Sequence, residues 1–199
     1  LVYSMAIEIV SRADAALMNI FGLQGIAETI NAFASEEIKQ QYLPAFSSGK
    51  VTGAMVLTEP DAGLNTTAIK TFAEKVPGGY IVHGQKVWTS TAQVANKIML
   101  LTRTTKYEDC AKPTDGITIF YTDLDRRFVE VREIEKMGRK CVDSNQVFFD
   151  GLPVPEADRL GEEGRGFEYI LHGMNPERIL IAAESVGLGR CALARATHY

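Results

Sequence analysis

The hydrophobic pattern of the chain changes period twice, and this limits what it can fold into. Over residues 1–50, apolar side chains recur at helical spacing: Ile7, Val10 and Leu17, then Ile26, Ile30 and Phe33, then Ile38, Tyr42 and Phe46. Ser35 is placed to cap the third helix, Glu36 and Glu37 suit its positive end, and Ser47-Ser48-Gly49-Lys50 closes it. Residues 51–157 read instead as short β-rich runs separated by turn residues: GAMVLT, AIKTFAEKV, YIVHG, KVWTS, IMLLTRT, GITIFYT, RFVEVREI and NQVFFD. Within them, Val76-Pro77-Gly78-Gly79-Tyr80 predicts a hairpin, because glycine tolerates positive φ. Strands at this spacing predict an antiparallel sandwich or barrel. From about residue 158 the pattern is helical again. The expected class is α+β, divided as 1–50, 51–157 and 158–199.

This order excludes several chemistries. A dinucleotide fold alternates strand and helix throughout, and Gly161-Glu162-Glu163-Gly164-Arg165-Gly166 has no apolar strand leading into it at the spacing such a fold needs. Walker A and Gly-x-Ser-x-Gly motifs are absent, and His83, His172 and His198 lack metal-ligand spacing. With a net charge of −4 over 199 residues, the chain offers no footprint for nucleic acid or an anionic membrane surface, and no apolar run is long enough for a membrane helix. Cys110, Cys141 and Cys191 are odd in number and lack CxxC spacing, which fits reduced thiols in an intracellular protein. Opening without Met inside one helical pattern and ending inside another, the sequence reads as part of a longer protein.

Two stretches remain that can build a site. In the first, the run Met55-Val56-Leu57 stops at Thr58, Pro60 fixes the loop after it, and Gly63 permits close backbone approach. The second, GQKVWTST, carries the only tryptophan, Trp88, followed by hydroxyl residues including Ser90. Trp88 alone reads as either a core aromatic or a platform for a flat ring; a neighbouring hydroxyl-bearing strand end favours the platform. Further along, Asn175-Pro176-Glu177 has the residue types of a helix start, with Asn175 as N-cap. Gly187 and Gly189 weaken a helix and predict close packing.

The stretch MVLTEPDAGLNTTAIKTFAEKVPGGYIVHGQKVWTSTAQVANKIMLLTRT, with MGRKCVDSNQVFFDGLPVPEADRLGEEGRGFEYILHGMNPERILIAAESVGLG after it, resembles the acyl-CoA dehydrogenase family. The resemblance implies the end of an N-terminal helical domain, a β-barrel middle domain and the start of a C-terminal helical bundle. It implies FAD as cofactor and an acyl-CoA substrate dehydrogenated to a trans-2-enoyl-CoA, the α-proton going to a glutamate and the β-hydride to the flavin. It also implies an electron-transfer flavoprotein as acceptor, a homotetramer or homodimer, and a bacterial cytoplasmic or mitochondrial matrix setting.

By the same resemblance Met55, Val56, Leu57, Thr58, Gly63, Trp88 and Ser90 contact the flavin, while Leu64, Phe167, Asn175 and Arg178 lie toward the substrate. Phe167 reads equally well as a core residue, and Arg178 as an ion-pair partner. The family loop usually reads Ala-Gly-Ser-Asp where this chain has Ala62-Gly63-Leu64-Asn65, so the contact its Ser makes is lost or passes to backbone N–H groups or to Thr66. Isovaleryl-type and long-chain members carry the catalytic glutamate just before an arginine, the place of Glu177 here; other branches keep it in a C-terminal segment. An oxidase or monooxygenase on the same fold, or a catalytically silent flavin-binding relative, are the alternatives.

Overall fold

The structure, a computed structural model, describes residues 2–18 and 24–199. Helix α1 spans Val2–Ala13, α2 Gln24–Phe33 and α3 Glu36–Ser47. The strands are β1 Gly53–Val56, β2 Phe72–Val76, β3 Gly79–Ser90, β4 Lys97–Arg103, β5 Ile117–Asp123, β6 Val129–Glu133, β7 Ser144–Pro155 and β8 Arg159–Leu160. A single long helix, α4, runs Gly166–Thr197.

Local chemistry explains several of the ends. The first helical stretch stops at Ala13 because Asp14 turns to extended backbone and its carboxylate accepts from the Ala16 N–H at 2.8 Å, capping a 3-10 turn Ala15–Leu17. Leu17 therefore sits in that turn, and Asn19 and Ile20 lie outside the described residues. Ser35 caps α3 as expected, its hydroxyl accepting from Ile38 N–H at 3.4 Å. Gly78, at φ +86°, makes the β2–β3 hairpin turn.

The strands form one sheet in the order β6-β7-β3-β2-β4-β5-β8, with β1 added on β4. The expected all-antiparallel pairing is corrected: β1 and β2 both run parallel to β4, and the remaining pairings are antiparallel. YIVHG and KVWTS, expected as separate strands, are one strand, β3, because Gly84 at φ +149° lets the chain bend against Thr71 without breaking its pairing to β7.

Strand alternation then splits the apolar residues into two cores. Ala54, Val56, Ile98, Leu100 and Phe120 face an inner cluster closed by Tyr80, Val82, Val147 and Phe149. Met99, Leu101, Ile119 and Tyr121 face outward and are covered by Ile26 and Ile30 of α2, Ile38 of α3 and Ile170 of α4.

The last helix begins at Gly166, later than residue 158, because Arg159–Leu160 still pairs with β5. It crosses α2 where Gly173 meets Gly25: a Cβ on Gly173 would lie 3.1 Å from the Gly25 carbonyl oxygen. It also lies along α1, where Gly187 faces Glu8 and Ser11. Gly187 thus marks close packing as expected, whereas a Cβ on Gly189 would meet nothing within 4 Å.

Candidate active site

Sheet and helices leave a cavity of about 540 Å³ between them. One wall is the end of β1 and the residues after it, Met55, Leu57 and Thr58. Val56 does not line it: alternation turns that side chain into the inner core at 0% exposure, so its expected side-chain contact is corrected.

A second wall is Val87, Trp88 and Ser90. Lys86 pairs with Val147 and Thr89 with Asn145, so β3 carries one extra residue there, a bulge that re-aims the chain. In the bulge Trp88 adopts φ +61°, a strained value for a bulky residue, and its side chain stands 59% exposed at the cavity. The core reading of Trp88 is therefore set aside, and the platform reading fits its position. The bulge also frees Val87 N–H to donate to Thr58 O at 2.8 Å, tying the two walls together.

The third wall is α4. Met174, Glu177, Arg178 and Ile181 share one helical face by their spacing of three and four, and all reach the cavity. The local sequence chemistry misplaces Asn175: α4 is continuous through it, so it is no N-cap but an exposed residue whose Oδ1 accepts from Arg178 at 2.7 Å. Pro176 sits inside the helix and leaves the carbonyl one turn earlier without its N–H partner. Glu177 is partly buried with no cation paired to it among the described residues, and burial holds its carboxyl above the ordinary value. Arg178 forms no salt bridge among the described residues, so the ion-pair reading finds no partner there.

Met18 and Ile26 complete the apolar lining, and Arg139 closes one side. Arg139 has φ +52°, and its guanidinium pairs with Glu184 of α4, whose side chain is 3% exposed and whose second oxygen has no partner among the described residues. Besides Val56 and Asn175, three more expected residues stay outside the cavity. Gly63 and Leu64 lie on an exposed loop, where a Cβ on Gly63 would meet nothing, and Phe167 packs against the outer core.

Behind the first two walls lies an ion pair that reading along the chain does not find. Lys86, fully buried, reaches Glu59 Oε1 at 2.9 Å and donates to Leu57 O at 2.8 Å. Glu59 also accepts from the backbone N–H groups of Lys70 at 2.6 Å and Thr71 at 3.0 Å. Burial pushes the Lys86 ammonium down to about 8 against the pull of Glu59. Burial opposes ionisation of Glu59 too, but Lys86 and the N–H donors together hold its carboxyl below the ordinary value.

The cavity fits a flat heteroaromatic group: an exposed indole for its face, Thr58 and Ser90 hydroxyls and two guanidiniums for its heteroatoms, and apolar side chains against water. Among the described residues no cluster of His, Cys, Asp or Glu could hold a metal, and no helix is long and apolar enough to cross a membrane.

Known proteins share the sequence pattern and the fold. Residues 1–50 match the family model of the acyl-CoA dehydrogenase N-terminal domain and residues 54–152 that of the middle domain. A mitochondrial 2-methylacyl-CoA dehydrogenase of Solanum tuberosum is 31% identical over 192 residues, covering 94% of this chain and 45% of that protein. Butyryl-CoA dehydrogenase from Megasphaera elsdenii superposes with a TM-score of 0.88 at 28% identity, over 99% of this chain and 51% of the other. A glutaryl-CoA dehydrogenase from Mycobacterium smegmatis in complex with FADH2 does so with a TM-score of 0.86 at 25% identity, over 99% and 49%. The chain spans about half the length of these relatives. With both domain matches contiguous along it and the same fold in each neighbour, this chain belongs to the acyl-CoA dehydrogenase family.

Proposed function

We propose that the cavity binds FAD and the acyl portion of an acyl-CoA thioester, and that Glu177 is the base that removes the α-proton. The observation that carries this reading is the place of Glu177: it enters the same cavity as Thr58, Trp88 and Ser90, with its carboxyl raised by burial. A carboxylate with raised pKa is the stronger base, and the closer that value lies to working pH the more efficient the transfer. Trp88 would stack on the ring, Thr58 and Ser90 would donate to its polar edge, and Arg178, which bonds Asn175, would face it across the cavity. Met55, Leu57, Met174 and Ile181 would keep water from a bound acyl chain. FAD, when bound, supplies the acceptor for the electron pair and hydrogen leaving the β-carbon, so that a trans α,β double bond remains. Electron-transfer flavoprotein as the onward acceptor, a homo-oligomer, and a mitochondrial matrix or bacterial cytoplasmic setting belong to the same proposal, by family likeness.

The test is anaerobic. Saturated acyl-CoAs of increasing length are added to the FAD-loaded protein and to its Glu177→Gln variant, and the oxidised flavin band is followed. Bleaching in the parent with a loss of about 10²–10⁴ in rate for the variant supports the assignment. Equal bleaching in both removes Glu177 from the role, and none in the parent with any acyl-CoA refutes the reading.

A further inference from the structure

The ion pair behind the cavity has a geometry that aims outward. Leu57 O is held by the Lys86 ammonium, and Thr58 O by Val87 N–H. All described peptide bonds are trans, so the N–H of the Leu57–Thr58 peptide points opposite to its carbonyl, away from Lys86. That N–H and the Thr58 hydroxyl have no hydrogen-bond partner among the described residues, and Thr58 lines the cavity. Lys86 can hold this position because it has little freedom: it is fully buried, Glu59 braces it, and Glu59 is itself fixed by the N–H groups of Lys70 and Thr71. A buried ion pair is weak evidence for stability on its own, because desolvation offsets attraction. Its placement directly behind a cavity wall is what asks for a further role.

We infer that Lys86 is a positioning residue, which pins the Leu57 carbonyl so that the Thr58 N–H is presented to an acceptor atom of the ring bound in the cavity. This rests on the flavin reading above. Glu59 belongs to the device as the brace: it keeps the ammonium from withdrawing toward another acceptor. Without Lys86 the 57–58 peptide can rotate, and the donor is lost with no cavity-lining side chain changed.

The test uses the double variant Glu59→Gln/Lys86→Met, which removes both charges together and leaves no unpaired buried ion. FAD affinity, the position of the flavin visible band, the reduction potential and thermal melting are measured against the parent and against Lys97→Met, which removes the partner of Asp123 and alters no cavity residue. The expected result is FAD binding about tenfold weaker, with a displaced band and a lower potential, and Lys97→Met like the parent. Parental flavin affinity, band and potential in the double variant, whether or not it melts lower, overturn the inference, since a purely structural pair would shift melting alone. Hydrogen exchange of the segment around Thr58 in the unaltered protein serves where the variant does not fold: FAD is expected to slow exchange of the Thr58 amide roughly tenfold, and an unchanged rate overturns the inference. Failure of the parent to bind FAD at all would instead bring down the flavin reading itself.

Discussion

Two glycines two residues apart on α4 are expected to respond in opposite directions to the same change. A Cβ on Gly187 would stand 2.4 Å from the Glu8 carbonyl oxygen and 3.1 Å from Arg12 N, both backbone atoms of α1. An ordinary C···O approach is about 3.3–3.6 Å, so α1 must retreat by roughly 1 Å. A gap of that size forfeits about a quarter to a half of each contact it opens, and Ile7, Met18 and Leu180 form the small core at that seam. Overpacking costs about 1–3 kcal/mol, and a clash with helix backbone falls in the upper part of that range, about 2–3 kcal/mol, against a gain of about 1 kcal/mol from replacing glycine in a helix. Gly187→Ala should therefore destabilise by about 1–2 kcal/mol, while Gly189→Ala, whose Cβ would meet nothing within 4 Å, should stabilise by about 0.5–1 kcal/mol. For a chain of this length that is a Tm fall of about 2–8 °C beside a rise of about 1–4 °C, read by thermal melting and checked by urea midpoints at constant m. Equal stabilisation of both variants would show that α1 and α4 are not packed as described. Because Met18 also lines the cavity, Gly187→Ala should weaken ligand binding as well.

Trp88→Gly relieves a left-handed backbone strain of about 1–2 kcal/mol but adds freedom to the unfolded chain worth about 0.5–1 kcal/mol, so stability should change by no more than about 1.5 kcal/mol. FAD titration of the same variant should show affinity lower by about tenfold, and unchanged affinity would deny the indole its stacking role. Glu177→Gln should raise Tm at pH 7 and do so less at pH 4. The burial-raised carboxyl binds its proton more tightly in the folded state, so its stability contribution is full below the unfolded pKa and declines as pH rises through the folded one. Melting curves that differ equally at both pH values would contradict that sign.

Features set by neighbours in sequence were readable before the fold was known. Ser35, Gly78 and the switch of apolar period all act within a few residues of themselves. The stretches that build the site were legible too, because Thr58, Trp88, Ser90 and Glu177 stand in the quoted motifs. Alternation along β1 would have separated Val56 from Met55 and Leu57, and helical spacing from Glu177 would have found Met174 and Ile181. Asn175 and Pro176 misled because tertiary packing against α2 carries α4 straight through a sequence that locally favours a start. The Glu59–Lys86 and Arg139–Glu184 pairs join segments that only the folded sheet and helix bring together, and no local pattern encodes either.

The cavity walls come from widely separated stretches: Met18 and Ile26, the end of β1, the β3 bulge, Arg139 and the middle of α4. No single helix or hairpin contains enough of them to hold a ligand, so a bound molecule stabilises only the chain in which all have assembled. By mass action, ligand at a hundred times its Kd adds about 2.7 kcal/mol against every opening that separates any two walls. Proteolytic resistance at cleavage sites far from the cavity should thus rise with ligand concentration.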